Sequence, residues 1–239
     1  MSNKIMPRSN DDFAKVIEKS FQAFLDTGSR STQKLKPLHS AIAEDLAGML
    51  GNQYEIVAQG YKEGKEKKIE GRYVSKAVDI TILHANKPVA GIAVKFIMQN
   101  YSQNSVNYFE NMLGETANIR SMGIPYFHII IMCDKIPYYD RKGKIGHWEE
   151  FTEHNAEKYC KLSQDNPVLY IHTPDKTLIF IVHIVDNDNI SDKTMYVDFY
   201  KENSEMTISR KNSQKFENGV IYNDYELFLR KIYHKVMSL

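Results

Sequence analysis

Two charged residues stand inside otherwise apolar runs of this chain. Asp79 lies in Val78-Asp79-Ile80-Thr81-Ile82-Leu83, and Lys95 in Gly91-Ile92-Ala93-Val94-Lys95-Phe96-Ile97. A charge in so apolar a run is costly unless it is paired. An Asp and a Lys brought together suit the divalent-ion-assisted hydrolysis of a phosphodiester. That reaction needs carboxylates to hold a hard ion and a cation to orient or activate the attacking water. The plain alternative is a buried Asp–Lys ion pair in an unrelated α/β protein.

Both runs are rich in β-branched residues and read as strands over residues 78–83 and 89–98. Asn86-Lys87-Pro88 joins them as a hairpin, which sets Asp79 and Lys95 on neighbouring strands. Upstream, Phe13, Val16, Ile17, Phe21, Phe24 and Leu25 recur at helical spacing and predict a helix over residues 11–25. A second helix is predicted over 37–50, with Pro37 in its first turn and Gly51 as its stop. Residues 54–58 and 68–73 read as further strands. After the lysine strand, Asn104-Ser105 opens a helix over about 105–122, closed by Gly123 with Pro125 beyond. Residues 127–133 are continuously apolar, the pattern of a strand buried on both faces. Residues 134–148 are polar and irregular. A helix over 149–162, strands over 178–185 and 195–200, and an amphipathic helix over 222–237 complete the chain. This order predicts an α/β fold with a mixed central β-sheet flanked by helices, residues 89–133 forming a right-handed strand–helix–strand crossover. A single domain over 1–239 is expected.

Across residues 37–133 the sequence resembles the PD-(D/E)xK, or restriction endonuclease-like, superfamily. The resemblance implies a restriction endonuclease-like core over that range, with residues 134–239 as a recognition elaboration. It also implies that Asp79 binds metal and Lys95 assists the water. Val78 stands where the family often has Pro. The larger departure is Ala93, two residues before the lysine, where the family places Glu or Asp. The missing carboxylate has moved, or the position was changed from an acid, or the chain is an inactive relative. Migration onto the next helix is favoured, because that helix carries Glu110 and Glu115. Five helical residues turn about 500°, so these side chains point some 140° apart and do not share one ion. Glu110 falls on the stripe Val106, Leu113, Ala117, and Glu115 on the stripe Tyr108, Met112, Ile119; the preferred reading is Glu110, with Glu115 as the alternative acid.

Further candidates surround this set. Glu44, on a face with Ala41 and Gly48, matches an auxiliary helix Glu of many members, though a surface Glu beside Asp45 reads equally well. Gln99 is expected at the rim of the active site. Asn100, Gln103, Asn104 and Asn107 are candidate DNA contacts, with a polar turn and helix cap as the plain alternative. The resemblance implies Mg²⁺, with Mn²⁺ as a substitute, and double-stranded DNA cut by a type II restriction enzyme acting as a homodimer. A catalytically inactive DNA-binding member of the same fold is the alternative that Ala93 suggests.

Composition sets bounds on this reading. A net charge of +1 means that nucleic-acid binding must come from a local basic surface. Three basic stretches exist: Lys62, Lys65, Lys67, Lys68, Arg72 and Lys76; Arg141, Lys142 and Lys144; Arg210, Lys211 and Lys215. No run approaches the ~18–20 apolar residues of a membrane helix, and residues 1–12 lack the apolar segment of a secretory signal. Cys133 and Cys160 are too few for a disulfide framework, so a cytoplasmic protein with reduced thiols is expected. The histidines show no zinc-like or helical i,i+4 pairing and read as structural. Nucleotide-binding glycine loops and a Gly-x-Ser-x-Gly elbow are absent from the sequence.

Overall fold

The computed structural model describes residues 6–211 and 219–239. The chain opens with α1 (Asn10–Thr27), whose first turn is capped by Ser9 accepting from the Asp12 amide. A 3-10 turn (Gln33–Leu35) leads into α2 (Lys36–Leu50), which has Pro37 near its start and stops at Gly51, a residue with a φ of 77°. Strand β1 (Tyr54–Ala58) follows, then a hairpin of β2 (Lys67–Glu70) and β3 (Ser75–Val78), then β4 (Ile80–His84) and β5 (Lys87–Ile97). Helix α3 (Tyr101–Arg120) connects β5 to β6 (Tyr126–Cys133), in which every residue is buried. The remainder runs β7 (Lys135–Tyr139), β8 (Ile145–Glu150), α4 (Glu153–Gln164), β9 (Lys176–Ile184), α5 (Lys193–Glu202), β10 (Met206–Ile208), β11 (Ile221–Tyr222) and α6 (Tyr225–Met237).

The central sheet is mixed and seven-stranded, in the order β1-β4-β5-β6-β9-β10, with β11 also on β9. β1, β4 and β5 are antiparallel neighbours, whereas β5, β6 and β9 run parallel. Parallel neighbours require a crossover, and α3 supplies it between β5 and β6. Side-chain alternation then assigns the faces. Phe127 of β6 meets Phe228 of α6 at 6.2 Å, and Phe180 of β9 meets Phe13 of α1 at 5.1 Å, so α1 and α6 cover one face. His128 bonds Thr116 of α3 on the other face, where Phe109 packs edge-on against Tyr159 of α4. Residues before and after the 37–133 stretch therefore belong to the sheet or its cover.

Several elements differ from the sequence reading. α3 begins at Tyr101 rather than near Ser105, because both carboxylate oxygens of Glu149 in β8 accept its first amides, Tyr101 at 2.6 Å and Ser102 at 3.0 Å. An acid at the positive end of a helix stabilises that end. The supposedly irregular 134–148 stretch is mostly the β7–β8 hairpin, turned by Asp140, whose side chain accepts from the Lys142 and Lys144 amides. Residues 195–200 lie in helix α5: Asp192 caps it by accepting from the Met195 amide, and Tyr196 and Tyr200 are buried one turn apart. Among the described residues no helix is long and apolar enough to cross a membrane, and both cysteines are buried and free.

Candidate active site

Asp79 occupies the single-residue break between β3 and β4. β1 ends at Ala58, opposite Ile80, so no strand pairs with that edge of the chain at Asp79. On its other side the carboxylate binds the neighbouring strand β5, its Oδ2 accepting from the Val94 amide at 2.6 Å. Burial pushes the Asp79 carboxyl above the usual range; the Val94 amide and the nearby Lys95 ammonium oppose this, Glu115 adds to it, and Lys76 opposes it. The hairpin expected from sequence is present, and it brings Asp79 and Lys95 together.

Lys95 does not stand alone. Its Nζ lies 3.8 Å from Oε1 of Glu115 on α3, and the same oxygen accepts from Lys76 Nζ of β3 at 2.8 Å. The Glu115 side chain is only 14% exposed. The inward stripe of α3 is the one carrying Met112 and Ile119, which are buried, whereas Val106 of the competing stripe is 61% exposed. Glu110 goes outward with Val106 and is exposed. The structure thus brings Glu115, not Glu110, to Lys95. Ala93 is buried in a small apolar group of Ile69, Val78, Ile119 and Tyr126, so its place is filled by packing. Gly91 lets the Tyr126 ring cross the strand, since a Cβ there would meet two ring carbons at 2.8 Å. Burial, with Glu115 and Asp79 nearby, holds the Tyr126 phenol well above its ordinary value.

Two residues missed in the sequence complete the constellation. His39 of α2 and Glu66, just before β2, each offer an atom that, with an Asp79 oxygen, forms a trio lying within 4.8 Å of one another. His39 is 0% exposed, and neither ring nitrogen has a hydrogen-bond partner. Burial pushes its pKa down to about 4, against the pull of Glu66. A buried neutral imidazole facing two carboxylates is a donor set that fits a divalent ion. No spacing rule reveals it, because the partners come from three separate elements and Glu66 sits inside a lysine-rich stretch.

The β2–β3 hairpin also builds a surface beside the site. Its tip is clamped by Asn118 of α3, whose Oδ1 accepts from the Tyr73 and Val74 amides at 2.9 and 3.2 Å and whose Nδ2 donates to Val74 O at 2.8 Å. The clamp needs Gly71, where a Cβ would sit 2.0 Å from Asn118 Nδ2. Arg72 and Tyr73 project from this tip, and Tyr73 is 76% exposed.

Other candidates are placed elsewhere. Glu44 binds Arg8 at 2.5 Å on the flank of α2. Asn100 ties the start of α3 to β7, donating to Tyr139 O and accepting from the Tyr139 amide. Asn104 donates back to Asn100 O, the local contact of a helix start. Gln103 and Asn107 are exposed on the first turns of α3. Gln99 is half-buried and its Oε1 lacks a partner. Arg141, Lys142 and Lys144 are exposed on the β7–β8 hairpin, Lys211 pairs with Glu150, and Lys215 lies outside the described residues.

Comparison with protein-family models, curated proteins and solved structures returns no match.

Proposed function

We propose that this chain is a divalent-ion-dependent endonuclease that hydrolyses DNA phosphodiesters at Asp79, Lys95 and Glu115. The supporting observation is the convergence of these three residues, from the β3–β4 break, β5 and α3, close enough for Lys95 and Glu115 to act on the Asp79 carboxyl. A structural ion pair needs neither a second acid nor a second lysine. Asp79 would hold the ion, which when bound supplies positive charge to the phosphate under attack. Mg²⁺, with Mn²⁺ as substitute, is the ion implied by the resemblance to the restriction endonuclease-like superfamily. Lys95 orients the attacking water and offsets charge building on the phosphate oxygens. Glu115, the acid nearest Lys95, holds the Lys95 and Lys76 ammoniums at the site.

The substrate reading rests on the clamped hairpin tip. A rigid Arg72–Tyr73 pair beside basic strands suits phosphate contact and stacking against a nucleic acid. Cutting both strands of a duplex needs two such sites, which a homodimer supplies. A type II restriction enzyme of the reducing cytoplasm is the most specific form of this proposal.

Incubation with a long duplex of diverse sequence tests it. The wild type should give discrete fragments with Mg²⁺ or Mn²⁺. Lys95→Ala should cut at least ~100-fold more slowly while binding DNA at low salt within a few-fold of wild type. A Lys95→Ala protein that loses thermal stability in step with activity would instead make the lysine a structural ion-pair partner.

A further inference from the structure

We infer that His39, Glu66 and Asp79 form a mixed nitrogen–oxygen site for a transition-metal ion of the Mn²⁺–Co²⁺–Zn²⁺ class, binding these ions in preference to Mg²⁺ or Ca²⁺. The inference rests on the nuclease reading for its purpose, but its geometry stands on separate residues. Three elements deliver the ligands: α2 brings His39, the segment before β2 brings Glu66, and the β3–β4 break brings Asp79. Ligand atoms on one ion at ~2.0–2.2 Å lie roughly 3–4 Å apart. The observed spacing, within 4.8 Å, lies close to that range.

His39 makes the site more than an acidic cluster. A fully buried imidazole with two orphaned nitrogens forfeits the hydrogen bonds it makes in water, and a metal bond from one nitrogen offsets part of that loss. The carboxylates in turn need a positive counterpart. Lys76 and Lys95 lie near enough to act on Asp79 but pair with Glu115, and no Lys or Arg ion pair to Glu66 or Asp79 is made among the described residues. Imidazole selects the identity of the ion. Mg²⁺ and Ca²⁺ prefer oxygen ligands and Mg²⁺ gives up its waters reluctantly, whereas affinity for a nitrogen-containing site rises along the first-row series from Mn²⁺ through Co²⁺. Glu115, already 2.8 Å from Lys76, is left to the lysines.

The test uses the full chain stripped with a chelator, titrated with Co²⁺, Mn²⁺ and Mg²⁺ by calorimetry and by the visible absorption of Co²⁺. One Co²⁺ should bind at least about tenfold more tightly than Mg²⁺. His39→Gln should erase most of that advantage while changing Mg²⁺ affinity little, and Glu66→Gln should weaken all three ions. Wild-type protein loaded with Mn²⁺ needs no variant: electron spin-echo modulation should show a directly bound histidine nitrogen. Absence of that nitrogen coupling, or Mg²⁺ binding as tight as Co²⁺, overturns the inference. Histidine-dependent Co²⁺ binding by a protein that cuts no DNA supports the site while removing the nuclease reading. Mg²⁺-dependent cleavage indifferent to His39→Gln does the reverse.

Discussion

On α2, Asp45 accepts from Arg8 at 2.8 Å and from the Tyr225 hydroxyl at 2.8 Å, and the Tyr225 ring stacks on Phe13 at 3.8 Å. Six residues earlier on the same helix, His39 is at least as deeply buried and has no hydrogen-bond partner on either nitrogen. Both side chains pay for desolvation, but only Asp45 is compensated within the protein. Orphaned atoms alone mark little, since the hydroxyls of Ser20 and Thr81 are also buried without partners. His39 differs in facing two carboxylates from distant parts of the chain. The contrast teaches that the buried Asp45 is satisfied within the fold, whereas the buried His39 is left facing two carboxylates without a partner, which is the ground for the proposed ion site.

Across the site on α3, the same contrast separates two acids. Glu115→Gln removes charge without changing shape and should lower metal-dependent cleavage by about 10–100-fold, the range for groups that orient a metal site. Glu110→Gln, on the exposed side, should be silent in the same assay. Equal effects would remove the distinction between the two stripes of α3.

Exchanging the buried groups of α2 should shift stability in opposite directions. His39→Leu removes an uncompensated polar group, and should raise the metal-free Tm by about 2–4 °C while abolishing the rise that Mn²⁺ gives the wild type. Asp45→Ala leaves the buried Tyr225 hydroxyl without its partner and removes one of the two carboxylates that hold Arg8, and should lower Tm by at least about 4 °C with the Mn²⁺-induced rise intact. Thermal melts with and without Mn²⁺ check both. A destabilised His39→Leu would mean that the imidazole is a packing residue.

His128 sharpens the comparison from an intermediate position, with Nε2 on Thr116 at 2.9 Å and Nδ1 without a partner. Burial, aided by Lys95, pushes its pKa down to about 3. An unfolded histidine titrates near 6.5, so between pH 6.5 and about 3 the unfolded chain holds a proton that the folded one rejects. Its contribution to stability is therefore complete above pH 6.5 and declines as pH falls through that window. His128→Gln should show a smaller drop in Tm between pH 7 and pH 5 than the wild type.

How much of this was legible in the sequence follows from the range of the interactions involved. The Asp79–Lys95 hairpin could be read because a charge in an apolar strand signals itself and the turn between the strands is local. β6 was equally plain from an apolar run interrupted only by His128. The start of α3 was hidden because Glu149, which caps it, lies 48 residues beyond Tyr101. The choice between Glu110 and Glu115 turned on which of two apolar stripes packs inward, and periodicity offered both. α5 was misread although its signals were present, with Asp192 as cap and Tyr196 and Tyr200 at helical spacing. His39 was passed over because its meaning comes only from Glu66 and Asp79, which tertiary structure brings to it.

Asp79 belongs to both proposals, as a ligand of the proposed ion and as a member of the proposed hydrolytic set. The most direct test is a time course on a long duplex, comparing wild-type protein with Asp79→Asn in Mn²⁺, in Mg²⁺ and in chelator. Wild-type protein should cut only when an ion is present, and Asp79→Asn should cut at least ~100-fold more slowly with its fold intact by circular dichroism. Cleavage by Asp79→Asn at the wild-type rate, or no cleavage by the wild type with either ion, would contradict the assignment of a metal-dependent nuclease.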